Sequence, residues 1–312
     1  MRILLAGGTG QIGQILEKEY VNRGYKVFIL TRTPVKENHI LWDGKSVGKW
    51  SEKLEGLDLI INLAGQSVKC SYTKKNLKTL YDSRIDSTKV LALALQKTKQ
   101  SPKLWIQMSA ATIYSHLFEG FNDEFEGNMG FLELPKNWGF ISKLARDWEE
   151  AVNFVSTNKT RKVIVRMSFL MSPQKGGFFS ICSKLSHLGL GGSLAGGKQF
   201  ISWIHDKDFI SAIDYIIKNE DLKGPVNFST PHPISQKDFM KILRKEWKIP
   251  FSLPVTRTMA KIGAFVLKLD TQLILRSSKV IPRKLLNHGF SFQYPHWKEA
   301  VQDLVTRYKQ KI

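Results

Sequence analysis

Gly7, Gly10 and Gly13 stand at a spacing of three directly after an apolar run, Ile3 to Ala6. Apolar residues at helical spacing follow in Gln14 to Arg23: Ile15, Leu16, Tyr20 and Val21. Strand, glycine turn and helix form the setting in which such a triplet holds a dinucleotide. Gly7 permits the tight turn, Gly10 lets the backbone approach a pyrophosphate, and Gly13 lets helix and strand pack closely. Gln11 and Ile12 lie between them, where N–H groups at the helix's positive end meet phosphate. A second apolar run, Lys26 to Leu30, ends in Thr31-Arg32-Thr33. An acidic residue there would accept hydrogen bonds from a ribose 2′-hydroxyl and select NAD, whereas a hydroxyl and a guanidinium suit a 2′-phosphate. NADP is the expected cofactor, with NAD possible.

The elements that must position these residues alternate. Strands are expected at Ile40 to Trp42, Leu57 to Asn62, Leu104 to Met108 and Lys162 to Arg166. Helical stretches are expected at Trp50 to Leu57, Lys74 to Lys97 and Asn137 to Val155. This alternation predicts an α/β fold with a Rossmann-like, doubly wound parallel sheet. Ligands in such a sheet bind at the carboxyl ends of strands. Leu63-Ala64-Gly65 and Ser109 are therefore expected at the cofactor, with Tyr114 just beyond. Past Ser168 the texture changes to glycine-rich loops at 176–177 and 189–197, a helix from Phe209 to Lys218 and a last strand, Gly224 to Phe228. Ser235 reads as a helix cap. The expected division is a cofactor domain over 1–170, taking in material from about 200–230. A smaller, mostly helical substrate lobe follows over 171–312, with a C-terminal module at about 248–300.

The chain has 312 residues, 42% of them hydrophobic, which is ample for a large core. Cys70 and Cys182 offer neither metal spacing nor a disulfide framework, which suits a reducing, cytoplasmic setting and no bound metal. The N-terminus reads as a fold element, not as a signal peptide. Met259 to Leu275 is apolar but broken by Lys261, Lys268 and Asp270, which argues against a membrane span. The net charge of +20 is spread without a basic block or a nucleic-acid motif. It reads as a solvated basic surface, not as a nucleic-acid site.

The sequence resembles the extended short-chain dehydrogenases/reductases, in particular an atypical sugar-nucleotide epimerase-like branch with a C-terminal domain of unassigned function. Gly7-Gly-Thr-Gly-Gln-Ile-Gly13, Leu30-Thr-Arg32, Asn62-Leu-Ala-Gly65, Ser83-Arg-Ile85 and Ser109-Ala110 with Tyr114 carry the likeness. Trp148-Glu149, Gly191-Gly-Ser-Leu, Gly197-Lys-Gln199, Ser202-Trp-Ile-His205 with Asp208, Gly224-Pro-Val-Asn227, and Pro282 with Gly289-Phe290 extend it along the chain. The resemblance implies NADP or NAD at the glycine turn, Ser83 facing the cofactor, and hydride transfer to or from an unknown small carbonyl or sugar-nucleotide-like substrate.

That chemistry moves a proton through a tyrosine four residues before a lysine, helped by a serine after the preceding strand. By resemblance, Gly139-Phe-Ile-Ser-Lys143 fills the first slot and Ala110 the second, so tyrosine and serine are both absent. Lys143 is retained and implies a hold on the nicotinamide ribose. Tyr114 is the candidate replacement donor, against a packing role at the pocket rim. His205 has an ordinary pKa suited to acid–base work, against a structural hydrogen-bonding role. Trp138, Trp203 and Lys198 are candidate pocket residues, and Ser142 is expected to face out of its helix. Arg166 is open between pairing with an acid and touching a substrate. Two functions stand: an NADP-dependent epimerase/dehydratase-like oxidoreductase with a rewired donor, or a non-catalytic NADP(H) sensor acting through a protein partner.

Overall fold

Runs of apolar residues with no polar alternation become strands covered on both faces. Ile3, Leu4, Leu5 and Ala6 have no exposed surface in β1 (Arg2–Ala6). The computed structural model describes residues 1–129, 139–157, 159–260 and 275–310. After β1 come α1 (Gln11–Asn22), β2 (Lys26–Thr31), β3 (His39–Leu41), β4 (Leu59–Asn62), α2 (Lys74–Gln96) and β5 (Leu104–Ala110). Then follow α3 (Gly139–Ala151), β6 (Arg161–Met167), β7 (Phe169–Met171), α4 (Phe178–His187), β8 (Phe200–Ile201) and β9 (Trp203–His205). The chain continues through α5 (Asp206–Lys218), β10 (Gly224–Phe228), β11 (Ile234–Ser235), α6 (Gln236–Glu246), α7 (Arg283–Asn287) and α8 (Trp297–Lys309).

Seven strands form one parallel sheet in the order β3-β2-β1-β4-β5-β6-β10. The order reverses beside β1, which makes its carboxyl end the topological switch point. Alternate residues serve opposite faces. Ile3, Leu5, Ile29 and Val163 pack with Leu16 of α1 and Phe209 and Ile213 of α5. Leu4, Leu30, Ile60 and Trp105 pack with Val90, Leu91 and Leu95 of α2. Each fully buried side chain of this size contributes roughly 1.5–3 kcal/mol. A further cluster joins Trp203 and Phe179 to Phe239 and Leu243 of α6 and Trp297 and Leu304 of α8.

The doubly wound parallel sheet expected from the sequence is present, with local differences. Helix α1 starts at Gln11, before its apolar periodicity begins, because Gly10 adopts the extended cap conformation. Between the glycine loops lies α4, which the sequence reading passed over. A two-residue strand, β11, follows the strand expected to be last. Ser235 caps α6 as expected, its hydroxyl accepting from the Asp238 N–H. Trp138 lies outside the described residues, as does most of Met259 to Leu275. Among the described residues, no helix is long and apolar enough to cross a membrane.

A strap over 276–281 ties the late chain to the sheet's carboxyl end. Ser277 donates its N–H to His116 Nδ1 at 2.7 Å and its hydroxyl to the Leu117 carbonyl at 2.5 Å. Ser202 Oγ donates to the Ser278 carbonyl and accepts from the Val280 N–H, both at 2.8 Å. Asn122 and Ile281 complete the seam through backbone bonds.

Candidate active site

The glycine turn crosses the end of β1 with almost no spare room. Gly7 has φ +73°, and a Cβ there would sit 2.7 Å from Ala64 Cα. A Cβ on Gly13 would come within 2.0 Å of the Gly8 carbonyl oxygen. A Cβ on Gly10 would meet nothing within 4 Å. Thus two glycines are demanded by packing, while the third leaves an open approach. No side chain caps α1, so the N–H groups of its first turn have no intrahelical partner and suit an anion. Ile12 packs on the core. Gln11 carries a buried Nε2 with no partner among the described residues, lying against Gly177. Lys69 donates to the Gly176 carbonyl. An orphaned amide beside an uncapped helix end fits a pyrophosphate.

The flanking residues fit the same ligand. Thr31 is buried, and its hydroxyl accepts from the Thr33 N–H at 3.3 Å. Arg32 is exposed at the end of β2 and makes no ion pair with the described residues. Leu63 donates its N–H to the Ala6 carbonyl at 2.8 Å, and Ala64 donates to Asn62 Oδ1 at 3.1 Å, which fixes the turn through Gly65. Ser83 does not present a free hydroxyl: it accepts from the Gln66 N–H at 2.9 Å and donates to the Leu80 carbonyl at 3.2 Å. It props the loop after Gly65.

A cavity of about 240 Å³ opens beyond this turn. Val68, Ile141, Leu144, Trp148, Met167 and Phe169 give it apolar walls. Ala110 lines it, in the place where the resemblance would put a serine. Its polar lining is Thr112, Ser168, Ser202, Ser278, Arg84 and Arg276. Thr112 Oγ1 and Ser168 Oγ have no hydrogen-bond partner among the described residues. Among the described residues, no carboxylate, imidazole, thiol, phenol or ammonium lines the cavity.

Several residues expected in the pocket lie elsewhere. Tyr114 is 1% exposed and does not line the cavity. Its hydroxyl donates to Asn227 Oδ1 at 2.9 Å and accepts from Arg166 at 2.8 Å, and burial pushes its pKa up to about 12. Its hydroxyl is engaged by Asn227 and Arg166 and does not face the cavity. Arg166 pairs with Glu149 at 2.8 Å, and Ser109 donates to the same carboxylate at 2.7 Å. Ser109 therefore turns its side chain away from the cofactor turn, on the opposite pleat from Ala110. His205 is fully buried as the cap of α5: Nδ1 accepts from the Lys207 N–H, and Nε2 lies 3.0 Å from Asp303. Burial lowers its pKa to about 4, with Asp206 and Asp303 opposing and Arg307 and Lys207 assisting. Trp203 packs edge-on against Trp297 in the core, and Lys198 is exposed and outside the lining. Residue type suggested chemistry at these positions, but tertiary contacts use them for packing.

Lys143 is exposed and paired with Asp147, which also accepts from Tyr81 at 3.0 Å. The hydrogen bond to Asp147 is the leading cause that raises its pKa. Ser142 faces inward instead of outward, donating to the Thr112 carbonyl at 2.7 Å and accepting from Arg276 at 3.2 Å. Arg84 and Arg276 were not singled out by the sequence. Arg84 stood inside the Ser83-Arg-Ile85 match, while Arg276 carries no local signal.

The glycine geometry and the sheet order agree with a comparison across protein families. The model described as the NAD dependent epimerase/dehydratase family matches residues 3–228. The chain belongs to this family. A domain of unknown function matches residues 259–304. Among relatives of this family member, an epimerase family protein of Staphylococcus saprophyticus, SSP1921, is 32% identical over 97% of this chain and 98% of its own. The mouse epimerase family protein SDR39U1 is 29% identical over 98% of this chain and 100% of its own. The solved structure of human SDR39U1, described as with NADPH, superposes with a TM-score of 0.86 at 26% identity, covering 98% and 99% of the two chains. A Bacillus cereus UDP-N-acetylglucosamine 4-epimerase shares the fold, with a TM-score of 0.75 at 18% identity, covering 99% of both chains.

Proposed function

We propose that this family member binds NADP(H) at the glycine turn and acts as an epimerase/dehydratase-like oxidoreductase on a small substrate. The observation that carries the reading is the uncapped start of α1, facing open space at Gly10, with Arg32 at the end of β2 unpaired among the described residues. The human relative described with NADPH supports the same cofactor. The bound nicotinamide supplies hydride transfer. This chain's own residues do the rest: the α1 N–H groups hold pyrophosphate, Arg32 meets the 2′-phosphate, and Lys143 leaves Asp147 to hold the nicotinamide ribose.

One observation supports a second reading. Among the described residues, the cavity lining lacks any group that exchanges a proton near neutral pH, which a non-catalytic NADP(H) sensor acting through a protein partner would not need. The two readings share the cofactor and part on turnover. Energy transfer from tryptophan to added NADPH tests the shared part, with saturation expected at micromolar concentrations; its absence overturns both. Oxidation of bound NADPH by a panel of carbonyl compounds then favours the enzyme. No oxidation, beside a co-purifying protein whose affinity follows NADPH, favours the sensor.

A further inference from the structure

Arginines buried in a protein are normally matched by carboxylates. This chain follows the rule at Arg166 with Glu149 and at Arg307 with Asp206 and Asp303. Arg161 has three carbonyl acceptors at the end of α5. Arg84 and Arg276 break the rule within one cavity. Arg84 donates to the Leu80 and Gln66 carbonyls at 3.0 and 3.1 Å and lies 5.0 Å from the Trp148 ring. Arg276 donates to Ser142 Oγ and the Tyr114 carbonyl. Among the described residues, neither guanidinium has a carboxylate partner. Burial lowers both to about 10, which leaves both charged at neutral pH.

Such an arrangement is unfavourable for the empty protein. Arg84 is buried and Arg276 half-buried; a charge withdrawn from water without a counter-charge is destabilising, and a second like charge in the same cavity adds to it. Neither residue is there by chance of a loose surface. The strap holds Arg276 through Ser277 and Val280, and Gly65 leaves Arg84 its place: a Cβ at 65 would lie 3.1 Å from the guanidinium carbon. Besides four hydroxyl side chains, Thr112, Ser168, Ser202 and Ser278, the rest of the lining is apolar.

We propose that the cavity takes a small carboxylic acid with an apolar body, its carboxylate held by Arg276 and Arg84 and its body by Trp148, Leu144 and Phe169. The substrate class rests on the NADP(H) reading, because the cavity adjoins the cofactor turn at Gly65. At about 240 Å³ it falls below the ~300 Å³ at which pockets for drug-sized ligands begin. A sugar nucleotide held entirely within it is therefore disfavoured. Guanidinium and carboxylate match through paired charge-assisted hydrogen bonds, which an amide cannot reproduce.

Calorimetric titration of the NADPH-loaded protein with acetate, isobutyrate and phenylacetate, each beside its neutral amide, tests the assignment. At least one acid is expected to bind at least tenfold more tightly than its amide. Arg276→Gln, which keeps a donor for Ser142, is expected to erase that preference while NADPH affinity stays unchanged. No preference for any acid overturns the proposal. So does competition between the preferred acid and NADPH, which would assign the arginines to a cofactor phosphate. If NADPH itself does not bind, the cofactor reading fails; the same acid and amide pairs titrated into the protein alone then still decide the cavity.

Discussion

A tyrosine at a strand end and a histidine in a buried segment have the right chemistry for catalysis, yet each is consumed by partners. Tyr114 bridges Arg166 and Asn227. Tyr114→Phe leaves a buried guanidinium and a buried amide short of a partner, and a loss of about 1–3 kcal/mol is expected in urea unfolding, with NADPH affinity unchanged. A fall in NADPH affinity at unaltered stability would return Tyr114 to the site. Lys143 is expected to behave in the opposite way. Lys143 is the exposed member of its i,i+4 pair with Asp147, which keeps Tyr81 as a donor, so Lys143→Met should alter stability by less than about 0.5 kcal/mol. Loss of a charge-assisted bond to the cofactor ribose should weaken NADPH roughly tenfold. Equal affinities in the two proteins would leave Lys143 a surface residue. These roles were only partly legible in the sequence. The identity of a residue states what it can do chemically, whereas burial and partners decide whether it is available. Arg84 and Arg276 show the reverse, being unremarked until the fold brings residues 84 and 276 to one cavity.

At the scale of elements, β1, the glycine turn and α1 were legible because their pattern is local. The apolar run sets the strand, the glycine spacing sets the turn, and the 3.6-residue period sets the helix. Gly13 shows how tightly these parts interlock. With the Gly8 carbonyl at 2.0 Å from any Cβ at this position, Gly13→Ala must push α1 away from the glycine turn. Both a clear fall in melting temperature and loss of NADPH binding are expected; a variant that keeps its stability and its affinity would show that α1 tolerates the shift. Helix α4 and the strap were not legible, because glycine-rich flanks mask the helix and the strap is held by the side chains of residues 116 and 202 and the carbonyl of residue 117.

Across the whole molecule, the late chain is docked partly by a titratable cluster. His205 caps α5 and meets Asp303 of α8, which also accepts from Lys207 and Arg307. Burial lowers His205 from 6.5 to about 4. For Asp303 burial works the other way, and the bonds from Lys207 and Arg307 outweigh it, lowering the group from 3.8 to about 2. In both cases the unfolded chain takes up its proton first, so stability is complete above about pH 6.5 and falls with acidification. His205 acts between 6.5 and about 4, and Asp303 between 3.8 and about 2. The urea midpoint should therefore decline through both windows, and His205→Gln should flatten the upper one. An unchanged upper slope in that variant would place the acid sensitivity elsewhere. The parallel sheet was legible as a whole from alternating elements, while this docking depends on pairs about a hundred residues apart. The central claim is that the switch point of the sheet holds NADP(H) through the α1 terminus and Arg32. Its most direct test is the ratio of NADH to NADPH dissociation constants, measured by fluorescence titration in the native protein and in Arg32→Ala. A ratio of at least about ten that collapses toward one in the variant is predicted; a ratio near one in the native protein, or one untouched by Arg32→Ala, would contradict it.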